Sequence, residues 1–383
     1  MKRTLLSLFM LCVLSFLSTI NLGKLNAQTF NYGTGSIASN PAGFNTAGSF
    51  TGYNIVGNDL TITGNINLPT GTYNFANVTI NSGTTVTVTG NSAPLIIRCT
   101  GSFVNNGDLR AVGGNGGNAS GVTGGAAGVA VAGGVNGGVG GAGGGNATGT
   151  TAPGVSFGTS SGRGMQGCGV SNTRPSWAGP GGGGGAYGSA GANGGNGSGQ
   201  TTGCATGGLG GSTYGNAALT LQVGASTAYF SAGQTTAGDR WILGGSSGAG
   251  GHGTQSFLAS ARAAGGGGGA SGGAIQIVAN SVTIGSGAWI RCRGGNGGNG
   301  SVSSGGNAGG GGGGGGSGGT VNIQYMSSYT NNGTIQVAGG IGGNPGFGST
   351  GIGGAGGNGG AGRQLIEQDV VLCTPPTVSA ASF

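Results

Sequence analysis

Charge is the scarcest commodity in this chain. Only 4% of its 383 residues are Asp, Glu, Lys or Arg, five of them acids, and the chain has one histidine. The acids, Asp59, Asp108, Asp239, Glu367 and Asp369, are scattered and do not recur at a fixed spacing. That pattern argues against a glycosidase, which needs two carboxylates flanking one bond, and against a lyase with its base and acidic cation cage. Calcium-binding glycine repeats would place an Asp in each unit, because hard cations want carboxylate oxygens; this chain has Asn or Ala there. One histidine and dispersed cysteines give no zinc spacing. Gly309 to Gly316 is not followed by Lys-Ser or Lys-Thr, so it is not a phosphate loop. Asp239-Arg240 with His252 is the one polar constellation left, and it reads more simply as a turn-fixing pair beside an exposed histidine. The sequence predicts no enzyme, no catalytic residue, no cofactor and no metal.

Lysine occurs only at Lys2 and Lys24. Lys2 and Arg3, an apolar run from Leu5 to Leu17 and Leu25-Asn26-Ala27 ahead of Gln28 have the layout of a secretory signal, residues 1–27. No second apolar run is long enough to span a bilayer. Beyond the signal, nine arginines face five acids, an excess that clusters only at Arg291 and Arg293. A nucleic-acid surface needs denser basic groups to release counterions, so nucleic acid is not an expected partner.

Five cysteines remain after the signal, an odd number that cannot pair fully within one chain. Export permits disulfides, and Cys168 with Cys204 is the preferred pair because both lie in one loop-rich stretch. Cys99 and Cys292 fall on the apolar parity of strand-like runs and read as small core residues.

Glycine is abundant, at 105 residues. It lies between well-patterned strands. Short i, i+2 apolar pairs such as Leu60/Ile62, Val78/Ile80 and Val86/Val88 alternate with turn residues. The stretch from Leu95 to Asn118 recurs from Thr320 to Asn344 without a gap, and from Ala274 to Asn299 with one extra residue between Ile277 and Ile290. Every copy runs into Gly-Gly-x-Gly-Gly-Asn. Stacked copies should place Cys99, Ala279 and Tyr325 in one ladder.

These features predict an all-β fold, a parallel β-helix (solenoid), with a β-sandwich as the alternative. Its expected divisions are a cap over 28–59, the solenoid over 60–373 and a linker over 374–383 opened by Pro375-Pro376. Glycine-rich insertions span 113–273, 300–319 and 339–362. Their Gly-Gly-x rhythm matches the three-residue turn of polyproline II, so bundles of polyglycine-II-like helices are expected, with a flexible loop as the alternative. Thr61/Thr63 and Thr85/Thr87/Thr89 form short outward ladders of an ice-binding kind, but Arg98, Gln276 and Asn322 stand at those positions in the later copies. Trp177, Tyr187 and Tyr214 are candidate surface or glycan contacts; Trp289 could join them or close a coil.

The strand copies followed by Gly-Gly-x-Gly-Gly-Asn resemble the glycine-rich solenoid regions of large secreted adhesins of gliding bacteria. The tail Cys373-Thr-Pro-Pro-Thr-Val-Ser-Ala resembles the start of their Ig-like repeats. A weaker likeness runs to glycine-rich phage tail adhesins. The resemblance implies a secreted, surface-exposed, non-enzymatic adhesin or adhesin head, acting in attachment or gliding, whose partner is an extracellular surface, a glycan or another surface protein. The alternative is a self-assembling protein of an extracellular filament, sheath or matrix.

Overall fold

Two-residue turns set the topology at the N-terminal end. Strand β1 (Gly48–Phe50) turns through Thr51-Gly52 into β2 (Tyr53–Val56), which turns through Gly57-Asn58 into β3 (Asp59–Ile62). Gly52 and Gly57 take φ of 86° and 61°, the left-handed conformation such tight reversals require. Both pairings are therefore antiparallel. In this computed structural model the described residues are 31–91, 93–134, 136–141, 178–198, 207–210, 245, 247–251, 253–254, 262–306, 308–349 and 351–369. Those from 31 to 368 fall within one unit, Phe30–Gln368; Met1–Thr29 and Asp369–Phe383 fall in a second, of which only Asp369 is described.

The remaining strands are β4 (Ile66–Pro69), β5 (Gly71–Phe75), β6 (Asn77–Ile80), β7 (Thr85–Thr89), β8 (Leu95–Asn105), β9 (Asp108–Arg110), β10 (Ala274–Ile284), β11 (Trp289–Arg291), β12 (Thr320–Asn331), β13 (Thr334–Gln336) and β14 (Arg363–Gln368). They make a nine-stranded sheet, ordered β1-β2-β3-β6-β8-β10-β12-β14 with β5 also on β8, and a five-stranded sheet, β13-β11-β9-β7-β4. This corrects the expectation of a parallel β-helix. The larger sheet is mixed, antiparallel at β1-β2-β3 and parallel beyond, and the two sheets are not closed into a β-helix. The cause is local, since Thr51-Gly52 and Gly57-Asn58 are hairpin turns within what reads as an irregular cap. Pro69, which has no N–H to donate, ends β4 at the edge of the smaller sheet.

Among the three copies the pairing is parallel and in register. Cys99 and Tyr325 both partner Ala279, and Leu109 and Ile335 both partner Ile290. The extra residue of the middle copy is a net figure. The register slips by one between Ala279 and Ser281, and the turn at Gly285–Ala288 adds two residues that bring Trp289 opposite Asp108.

Alternation places Ile62, Val78, Ile97, Phe103, Ile277 and Val282 of the large sheet and Leu68, Val86, Leu109 and Ile290 of the small sheet in one buried cluster. Each fully buried aliphatic side chain contributes about 1.5–3 kcal/mol through removal from water. At the N-terminal end an aromatic group covers the cluster. Phe44 stacks on Tyr53 with ring centroids 4.7 Å apart and meets Tyr73 edge-on at 5.4 Å. Cys99 and Cys292 are buried free thiols of this core, and burial pushes both thiols well above their usual range.

The other face of the large sheet departs from its expected exposure. Gln276, Asn322 and Gln324 are buried on it. Tyr187 packs there, its hydroxyl 2.9 Å from Thr320 Oγ1 and its ring 5.3 Å from the Arg363 guanidinium carbon.

Past the strands, the glycine segments bond to one another with a period of three. Gly309, Gly312, Gly315 and Gly318 donate to Gly351, Gly354, Gly357 and Gly360. Gly310, Gly313, Gly316 and Gly319 donate to Ser301, Gly298, Gly295 and Cys292, and Gly314 donates to Ala249. The carbonyls of 309–317 accept from three more segments, through Gly179, Gly182 and Gly185, through Gly346, Gly343 and Gly340, and through Gly266, Gly269 and Gly272. The central segment thus has six neighbours and is buried. Nine of the eleven N–H groups of 309–319 find a backbone acceptor among the described residues, in keeping with the need of buried backbone groups for partners. This contact distance admits no side chain, since a Cβ on Gly313 would fall on the Gly267 carbonyl oxygen.

Candidate interaction surface

The small sheet turns Leu109, Ile290 and Ile335 toward the core, so the residues on either side of them point out. Asp108, Trp289 and Thr334 form one outward column, with Thr85 continuing it on β7. Thr87, Arg110, Arg291 and Gln336 form the next. The columns do not stop where the strands do. Ala111 N–H donates to Arg291 and Gly113 N–H to Arg293, while Cys292 and Gly294 N–H groups donate to Gln336 and Ala338. The offset of 181 residues that aligns Asn115 with Asn296, and of 45 that aligns Asn296 with Ile341, is the offset already set in the strands. Three layers therefore run unbroken from the sheet into the glycine segments.

In that extension the third residue of each Gly-Gly-x unit points outward, and asparagine there has a specific task. Asn115 Oδ1 accepts from Asn296 N–H at 2.8 Å, and Asn296 Oδ1 accepts from Ile341 N–H at 2.9 Å. One unit along, Asn118 Oδ1 accepts from Asn299 N–H at 2.9 Å and Asn299 Oδ1 from Asn344 N–H at 2.8 Å. Among the described residues no glycine segment lies beyond the outward N–H of these units, and the side chain of the layer before supplies its acceptor. Asn193, Asn196 and Asn358 do the same for Gly210, Gly207 and Gly342. With Oδ1 held by the backbone, the exposed amides of Asn115, Asn118 and Asn299 have their Nδ2 donors left to face outward. Columns of such donors repeat at about 4.8 Å across layers. Along the chain the repeat is three residues. Val129, Ile341, Phe347 and Ile352 are exposed apolar members of the same module.

At the strand end of the face the charges are paired. Arg110 Nε donates to Asp108 Oδ2 at 2.7 Å, and Arg291 Nε lies 3.3 Å from Asp108 Oδ1, too poorly aligned to count as a hydrogen bond. The Arg291 guanidinium carbon sits 4.2 Å from the Trp289 ring centre, a cation–π contact.

No protein-family model, curated protein or solved structure matches this chain. Function must be argued from the surface itself.

The candidate residues fare unevenly. Tyr187 is 1% exposed and bonded within the fold, so it offers no ring to a glycan, because its ring and hydroxyl are committed to Arg363 and Thr320. Trp177, Tyr214, the Cys168 and Cys204 pair, and Asp239, Arg240 and His252 lie outside the described residues. Trp289 stands in the outward column. Thr61 is on the large sheet and Thr85, Thr87 and Thr89 on the small one, so they do not make one hydroxyl ladder. The asparagine ladder escapes a reading of single motifs; its signal is the recurrence of Asn at the same place in all three copies. Among the described residues no three His, Cys, Asp or Glu side chains gather as a metal site, and no helix is long and apolar enough to cross a membrane.

Proposed function

We propose that this chain is an exported, non-enzymatic surface scaffold, an adhesin or adhesin head, that presents a rigid face to a hydroxyl-rich partner, a glycan on a cell or matrix surface. The observation that carries the reading is the three-layer face, with its columns of outward amide donors fixed by their own backbone hydrogen bonds. Preorganised donors lose little entropy on binding, and a repeated array suits a repeated ligand by multivalency. The signal-like residues 1–27 support export. Asn299→Asp tests the reading, because a carboxylate still accepts from Asn344 N–H but removes the outward donor. Binding to neutral polysaccharides on a glycan panel should weaken while the melting temperature holds; unchanged binding would sink the proposal.

One observation favours assembly as a second reading. Among the described strands β13 pairs on one side only, and β14 covers β12 only over Thr320–Tyr325. Such edges can accept further strands. Sedimentation that finds monomer alone over a wide concentration range would remove it.

A further inference from the structure

The face is almost neutral except at one place. Arg110 and Arg291 share a single carboxylate, Asp108, and Arg293 follows two residues on along the same outward face, in a chain where charged residues are 4% of the total. The formal local balance is two positive charges, and the neighbouring outward residues Thr87, Thr334, Gln336 and Asn296 are neutral. Arg291 is fixed through Nε toward Asp108 and flat on Trp289, which leaves the Nη edge of its guanidinium to offer paired donors. Arg293 has no ion pair among the described residues, and its Nε is buried with no hydrogen-bond partner. Next along the chain from the guanidinium held by Asp108 and Trp289, Arg293 thus brings a second positive group to the outward face with no carboxylate among the described residues to neutralise it.

We propose that Arg110, Arg291 and Arg293 form a subsite for an oxyanion carried on a polysaccharide, a uronate carboxylate or a sulfate ester, while the asparagine columns meet its hydroxyls. This rests on the reading of the face as a glycan surface. The sparseness of the cluster selects the ligand class. Nucleic acid carries a charge about every 1.7 Å of duplex and is held by many basic groups, and anionic membranes by clusters of roughly 4–8 Lys or Arg. Three arginines amid amides and hydroxyls match a polyol with occasional anions.

The test measures binding of the full chain to polygalacturonate, its methyl ester, dextran sulfate, dextran and duplex DNA, with Arg291→Gln, Arg293→Gln and Arg293→Lys variants. Loss of a charge-assisted hydrogen bond predicts about 10-fold weaker binding of the acidic polysaccharide to each Gln variant, most of it restored in Arg293→Lys, and weakening with salt. Preference for polygalacturonate over its ester assigns the carboxylate as the anion, and preference for dextran sulfate assigns the sulfate. Equal binding of acid and ester without sulfate preference, Gln variants that bind as the parent does, or tighter binding to DNA would overturn the subsite. If dextran or the ester still binds and Asn299→Asp weakens it, the glycan surface stands and only the acidic subsite falls. If no polysaccharide binds, both fall. Arg293 makes no ion pair among the described residues, so Arg293→Gln keeps the test open should Arg291→Gln harm folding.

Discussion

The same three layers are held together in two ways within a few residues of one another. In β8, β10 and β12, Ile97, Ile277 and Ile323 are buried, and apolar contact between neighbouring side chains adds to the backbone ladder. At 113–118, 294–299 and 339–344 there is almost no side chain to bury, and the layers are joined by N–H to C=O bonds and asparagine amides. The two regions therefore differ in what they tolerate. A side chain in the strand core can shrink at a graded cost, whereas at the buried glycines of the module, such as Gly313 and Gly316, nothing can be added. Apolar burial is non-directional, but a backbone lattice forgives no displacement.

The largest effect should come from adding one methyl group. Gly313→Ala places a Cβ against the Gly267 carbonyl and parts the central segment from one of its six neighbours. Overpacking together with broken buried hydrogen bonds should cost about 3 kcal/mol or more, read by chemical denaturation. A change under about 0.5 kcal/mol would mean that the module is looser than its hydrogen bonds imply. Next, Ile277→Ala should cost about 2–5 kcal/mol by leaving a cavity between the sheets, with the face binding as before. If the larger loss follows Ile277→Ala and Gly313→Ala is mild, the contrast is inverted.

The smallest effect separates the regions by pH. Burial raises the Cys99 and Cys292 thiols above the ordinary 9.0, and burial first, then Tyr53, raises the Tyr73 hydroxyl above the ordinary 10.0. All three stay neutral in the fold while the unfolded chain ionises, so their contribution is complete below about pH 9 and is lost as pH climbs through the folded values. The glycine segments 309–319 carry no titratable side chain. Melting temperature should fall above pH 9, with Cys292→Ala reducing that slope; a slope unchanged by the substitution would show that the thiol is not held neutral.

Much of the strand half is legible in sequence because alternation reports which side chain faces the core. Leu95, Ile275 and Val321 align by pattern and pair in space. The sheet topology is not so legible. Gly57-Asn58 is a hairpin signal hidden among other Gly and Asn residues, and it turns a presumed cap into an antiparallel edge of the large sheet. The burial of Gln276 and Asn322 is likewise invisible, because polarity at an alternate position predicts exposure only when no distant part of the chain packs on that face, and here Tyr187 bonds Thr320 on it. The recurring Gly-Gly-Asn is visible, yet its use depends on which layer lies next to which, a fact of register and not of composition. The Arg291 and Arg293 pair stands out in sequence, but Arg110 and Asp108 join it only through the 181-residue offset.

The central claim is that backbone hydrogen bonds order the glycine segments as firmly as apolar packing orders the strands. Amide hydrogen exchange, resolved by residue, tests it directly. Amides of 310–316 should be protected to a degree comparable with those of Ile275 to Ala279 in β10, since both would need cooperative opening to exchange. Exchange of 310–316 at the rate of an unstructured chain, with β10 still protected, would contradict it.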